Sequence, residues 1–124
     1  MRLTIGEDCY SIEWQYDPVE IPVKSYGLMG SIVSYFTTIK TTCTITKNNA
    51  PILQYHCVCS LGDQFRKETG RKISLTRALL SRTAEHHGFD KALRTEIWRT
   101  YHNRKRMESL KKLATQAQEL GMGY

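Results

Sequence analysis

Five basic side chains fall within a twelve-residue span: Arg66, Lys67, Arg71, Lys72 and Arg77. They surround Gly70 in the stretch CSLGDQFRKETGRKISLTRALL, Cys59–Leu80. Clustered guanidinium and ammonium groups hold phosphate or carboxylate oxygens through charge-assisted hydrogen bonds. A second basic set, Arg99, Arg104, Lys105 and Arg106, follows with His102 among them. Trp98 and Tyr101 lie beside it, so base stacking or cation–π contact joins the chemistry this segment can offer. The plain alternative is a solvated helical face over two core aromatics, since residues at i and i+3 share one side of a helix.

The thiols and imidazoles carry less. Cys43, Cys57 and Cys59 fall on one strand face, and three thiolates with a histidine can bind zinc tetrahedrally. No Cys-x-x-Cys knuckle is present, and the same face holds Val33, Tyr35, Ile39, Ile45, Leu53 and Tyr55. The spacing favours core thiols over a metal set. His86 and His87 fall at a helix end, with no cysteine tied to them in sequence. Acidic residues occupy turns and helix starts, as at Glu7, Asp8, Asp63 and Asp90. No phosphate loop, dinucleotide fingerprint, nucleophile elbow or zinc-protease pattern appears. The expectation is therefore a non-enzyme with no catalytic residues, no metal and no cofactor.

These side chains sit on a chain of 124 residues, a length that suits one domain. Residues 1–60 carry four basic and five acidic residues; residues 61–124 carry fourteen and seven. The net charge of +6 thus belongs to the C-terminal half, which points to an anionic partner or a solvated basic face. No secretory leader is read at the start, and no apolar run approaches the ~20 residues of a membrane span. The four cysteines are accordingly expected to be reduced.

The elements follow from periodicity. CYSIEWQY alternates, with Tyr10, Ile12, Trp14 and Tyr16 on one side, and predicts a half-buried strand. DPVEIPVKSYGLMG, with Pro18, Pro22, Gly27 and Gly30, predicts loop or edge structure. SIVSYFTTIKTTCTITKNNAPILQYHCVC predicts a long β-hairpin turning near Asn49. Its register places Ile45 opposite Leu53, Cys43 opposite Tyr55 and Thr41 opposite Cys57. Three helices are predicted next: a short one capped by Asp63 and ended by Gly70, one capped by Ser74 and ended by Gly88, and one capped by Asp90 running towards Leu120. In that scheme Arg71 and Lys72 tip a tight link beside a helix N-terminus. Such a link also admits a helix-turn-helix, with Thr76, Arg77, Ser81 and Arg82 facing outward. The third helix either bends at HNRKR, His102–Arg106, or sends its last turns away from the body. Strands first and helices second predict an α+β fold: an antiparallel sheet with two or three helices on one face.

One pattern resembles a recurring one in small bacteriophage-encoded proteins. A strand ending in Cys59 runs into Gly62, Asp63, Phe65, Lys67, Gly70, Arg71 and Lys72; then come Arg77, Ala78 and Leu79, and later Ile97, Trp98 and Tyr101. The match spans about a third of the chain, and no site residues carry over from it. The resemblance implies a viral protein working in the host cytoplasm by stoichiometric binding. On that basis the expected function is to bind and modulate or inhibit a host protein or ribonucleoprotein complex, for instance as an anti-CRISPR-like inhibitor. Direct nucleic-acid binding by the basic half is the alternative. The candidate contact residues are the same for both: Arg66, Lys67, Arg71, Lys72, Arg77, Arg99, Arg104, Lys105 and Arg106.

Overall fold

The computed structural model describes residues 1–60 and 63–119. Four strands come first: β1 (Arg2–Ile5), β2 (Asp8–Gly27), β3 (Gly30–Lys47) and β4 (Ala50–Val58). They form one antiparallel sheet in the order β1-β2-β3-β4. Helices α1 (Lys67–Leu79), α2 (Arg82–His86) and α3 (Lys91–Glu119) follow. The fold is α+β, as the segregated pattern predicts.

The β3–β4 hairpin forms in the expected register, with Ile45 opposite Leu53, Cys43 opposite Tyr55 and Thr41 opposite Cys57. Asn48 and Asn49 turn the chain with φ of 50° and 69°, a conformation that asparagine tolerates better than most residues. Asn48 also ties the turn to β2: its Oδ1 accepts from Cys9 N at 2.9 Å, and its Nδ2 donates to Asp8 Oδ1 at 3.0 Å. A bulge between Ile45 and Thr46 leaves Ile52 as the extra residue beside Pro51, which the edge strand β4 tolerates.

The segment expected as loop or edge, Asp17–Gly30, is edge strand turning at Leu28–Met29. β2 runs unbroken to Gly27 and pairs with β3 throughout, Pro18 against Ile39 and Pro22 against Tyr35. The prolines survive because of their parity. Ile12 N–H donates away from β3, to Met1 O at 2.7 Å. Every even position of β2 therefore turns its nitrogen to that same side. Beyond Ile12 that side has no strand beside it, since β1 covers only Asp8–Ser11 and Met1 meets Ile12. Pro18 and Pro22 thus cost the ladder no hydrogen bond.

A correction concerns Gly70. It does not end a helix, and Ser74 does not start one: α1 runs through both. Gly70 is buried against β3, where a Cβ would collide with Thr41 Oγ1 and lie 3.1 Å from Thr41 Cβ. The glycine lets α1 lie close on the sheet. Buried Ser74 meets its own hydroxyl need by donating to Gly70 O at 2.7 Å. Asp63 is not a cap; Arg66 occupies that position without a side-chain bond. The break falls later, at Leu80, after which Ser81 Oγ caps α2 by accepting from Ala84 N at 3.1 Å. The helix-turn-helix reading fails with its link. Gly88 (φ 77°) does follow α2, and Asp90 Oδ1 does cap α3 by accepting from Leu93 N at 2.9 Å.

The core lies between the sheet and the helices. Tyr10, Ile12, Cys43, Ile45 and Leu53 meet Leu75, Ala78 and Leu79 of α1, then Ala84 and Phe89, then Leu93, Ile97 and Tyr101 of α3. Tyr10 meets Phe89 edge to face at 5.7 Å. Helix α3 continues unbroken through His102–Arg106. Its described side chains from His102 onward are exposed, Leu110 and Leu113 included. Gly62 and Leu120 lie outside the described residues, as do the side chains of Lys105 and Ala117.

Candidate functional site

Two regions offer contact surfaces. The first is a β-arm. Beyond Tyr16, β2 pairs with β3 alone; before Lys40, β3 pairs with no residue of β4. Pro18–Gly27 and Gly30–Ile39 therefore form a two-stranded ribbon extending about 30 Å from the body at ~3.4 Å per residue. The arm is built from β-formers (Val19, Ile21, Val23, Ile32, Tyr35, Phe36), and its only charges are Glu20 and Lys24.

Alternation shows a change of side along the arm. In the body, even residues of β2 and odd residues of β3 face the helices: Tyr10, Ile12, Thr41, Cys43 and Ile45 are buried there. In the arm that face carries Glu20, Lys24 and Thr37 along with Tyr26, Val33 and Tyr35. Val19, Ile21, Val23, Ile32 and Phe36 occupy the opposite face, the continuation of the polar face of the body. At the end Leu28 and Met29 are fully exposed, and Tyr26, Ile32 and Tyr35 are mostly exposed.

The two edges of the arm differ. The outer edge of β2 has Pro18 and Pro22. The outer edge of β3 has no proline, and odd residues point their backbone groups there, as Ile39 O does in accepting from Cys59 N at 3.1 Å. Ser31, Val33, Tyr35 and Thr37 thus present N–H and C=O groups with no strand opposite, directly in line with β4.

The second region is the basic body. Arg71 is half-buried: its Nη1 donates to Tyr16 Oη at 3.2 Å and its Nη2 to Glu68 Oε2 at 3.1 Å. Burial opposes its charge, but hydrogen bonds to Tyr101, Tyr16 and Glu68 outweigh that and raise its pKa. Lys72 pairs with Glu68 at 3.4 Å, and Tyr101 Oη donates to Glu68 Oε1 at 3.2 Å. Lys67 Nζ lies over the Tyr16 ring at 5.1 Å and Arg104 over Trp14 at 5.8 Å. Arg77 donates to His56 O at 2.9 Å, and Arg99 pairs with Glu96 at 2.6 Å. Arg66 and Arg106 are exposed; the side chain of Lys105 lies outside the described residues.

The predicted basic residues are therefore dispersed. Lys67, Arg71 and Arg104 converge on Trp14 and Tyr16; Arg77 binds the β4 backbone; Arg99 stands on another turn of α3. Tyr101 is a core residue and Trp98 packs edge-on against it at 5.7 Å. Cys43 is fully buried, and burial pushes its thiol up to about 12. Cys57 is buried too, its pKa raised by burial, and its Sγ donates to Gly70 O at 3.4 Å. Among the described residues no three His, Cys, Asp or Glu side chains gather into a metal-binding set. No described helix is long and apolar enough to cross a membrane.

Sequence reasoning missed the arm. The signal was present in Val19, Ile21 and Val23, which alternate around the prolines and stand opposite Thr38, Phe36 and Ser34. No family model, curated protein or solved structure matches this chain.

Proposed function

We propose that this chain is a non-enzymatic protein that binds and modulates or inhibits a host macromolecular complex, and that it docks on a protein component through its β-arm. The observation that carries the reading is the arm itself. It holds Tyr26, Leu28, Met29, Ile32, Val33 and Tyr35 in water within ten residues, beside an unguarded strand edge. Exposed apolar residues gathered at one place mark contact sites. A free edge binds an extended segment by strand addition, with backbone bonds giving affinity and alternate side chains giving selectivity. The resemblance to bacteriophage proteins supplies the setting: a viral inhibitor of a host defence complex, anti-CRISPR-like, working in the host cytoplasm. A nucleic-acid reading fits the arm poorly, since Glu20 and Lys24 cancel and leave nothing to neutralise phosphates.

Parity makes the test sharp. Val33→Pro removes an N–H that faces outward, whereas Ser34→Pro removes one that bonds β2. A tagged protein is used to capture its partner from nuclease-treated bacterial lysate, and the variants are compared against that partner. The expected result is that V33P keeps the folded circular-dichroism spectrum and loses the partner. Retention of the partner by V33P, or loss of all binding on nuclease treatment alone, defeats the reading.

A further inference from the structure

One edge of the arm is open. Odd residues of β3 turn their backbone groups outward, and along residues 31–37 no strand lies opposite among the described residues. This stretch reads SIVSYFT and carries no charge. Natural sheets shield such an edge with lysine, proline or a bulge, and this one has none of them. We infer that in the free protein a second copy of this chain fills the edge: residues 31–37 of two arms pair antiparallel, Ser34 opposite Ser34, and form a closed two-fold dimer. The inference concerns the chain alone and does not rest on the docking reading. A host segment that adds to the same edge does so in exchange for the second copy.

Three observations carry it. First, the segment is its own complement. With Ser34 on the two-fold axis, Ile32 meets Phe36, Val33 meets Tyr35 and Ser31 meets Thr37, each pair made twice. These are aromatic–β-branched and hydroxyl–hydroxyl pairs, the kinds that stabilise neighbouring strands. The backbone is satisfied as well. Val33 and Tyr35 both point N–H and C=O outward, so they face each other as a hydrogen-bonded pair. The neighbouring registers fit worse. Val33 opposite itself sets Ile32 against Ser34, and Tyr35 opposite itself sets Phe36 against Ser34.

Second, charge does not oppose the pairing. A strand that meets its own copy brings like charges together wherever it carries any, and this stretch carries none. Antiparallel arms also carry the two bodies to opposite ends of the joined ribbon. The net charge of +6 on each chain is thus held well apart and screened by salt.

Third, the pairing closes. The outer edge of β2 has Pro18 and Pro22, which lack the N–H that a further strand needs. The joined ribbon runs β2-β3-β3-β2, so both of its outer edges carry those prolines. Association therefore stops at two copies instead of growing into a fibre. The arm becomes part of a four-stranded ribbon, where two strands alone are marginal. A ribbon edge is small among interfaces, so the dimer is weak and dissociates on dilution.

Sedimentation equilibrium of the purified full chain, with no host component, tests the dimer. The mass is expected to climb from 14.3 kDa towards twice that value as concentration rises through the micromolar range. Ser34→Glu and Ser34→Lys keep every outward N–H but set like charges opposite each other at the axis. Each alone is expected to weaken association about tenfold. An equimolar mixture of the two is expected to restore it, since unlike charges then meet, and that rescue also checks that both variants fold. A mass fixed at 14.3 kDa, growth beyond two copies, or variants that associate alone as tightly as when mixed overturns the inference. The docking reading is judged separately, by capture of a host partner, so either can fail while the other stands.

Discussion

The same two strands build both the body and the arm, and they are held in opposite ways. In the body, Ile12, Cys43 and Ile45 are fully buried under the helices, so side-chain packing holds the ladder in place. In the arm, the ladder continues in unbroken register from Pro18–Ile39 to Gly27–Gly30, yet among the described residues its apolar side chains near the tip stay exposed. A two-stranded ribbon is marginal in water by itself. The arm therefore borrows its order from the body, which fixes register at its root. The difference teaches that strand length and strand stability are separate properties. Backbone pairing extends a strand as far as the residues permit, while burial decides how much of it resists opening.

The strongest test of that contrast compares one isoleucine from each region. Ile97 on α3 is 0% exposed, and Ile32 in the arm is 67% exposed. Ile97→Ala is expected to cost ~2–5 kcal/mol through lost burial and a cavity, whereas Ile32→Ala stays within ~0.5 kcal/mol. Urea unfolding of the two variants decides it. A similar cost for both would mean that the arm is packed against something in solution and that the contrast is false.

Gly70→Ala follows in size, because overpacking a close helix–sheet contact costs ~1–3 kcal/mol. The clash is with Thr41 on β3, so Thr41→Ala is expected to recover part of the loss. A double-mutant cycle measures the coupling, and purely additive effects would remove Gly70 from its role as the spacer between α1 and the sheet.

How much of this was legible depended on whether a signal was local. The β3–β4 register could be read because Ile45, Cys43, Leu53 and Tyr55 must share one buried face about a turn that Asn48 and Asn49 permit. The Asp90 cap could be read because it needs only the next three residues. Gly70 misled because its reason is distant: glycine within a helix looks like a terminator until Thr41, 29 positions earlier, is placed against it. Pro18 and Pro22 left loop and edge strand undecided for a related reason, since whether a strand proline breaks a ladder depends on which edge lies beside it. The basic residues were found one by one, but not the grouping of Lys67, Arg71 and Arg104 about Trp14, which needs both helices docked.

The smallest effect separates the regions by pH. Cys43 lies in the core, and burial lifts its thiol from 9.0 to about 12; the arm carries no thiol. The neutral form is the one favoured in the folded chain. Its contribution to stability is therefore complete below pH 9 and declines as pH rises from 9 towards 12. At pH 10 the loss is about 1 kcal/mol, because the unfolded thiol is by then mostly ionised. Urea midpoints of the wild-type chain and Cys43→Ala are compared at pH 8 and pH 10. The variant starts lower, for it loses core volume, but the gap between the two curves is expected to narrow at the higher pH. A constant gap would mean that the Cys43 thiolate is tolerated in the folded body, and that the boundary between a sealed core and an open arm lies closer to the helices than the packing shows.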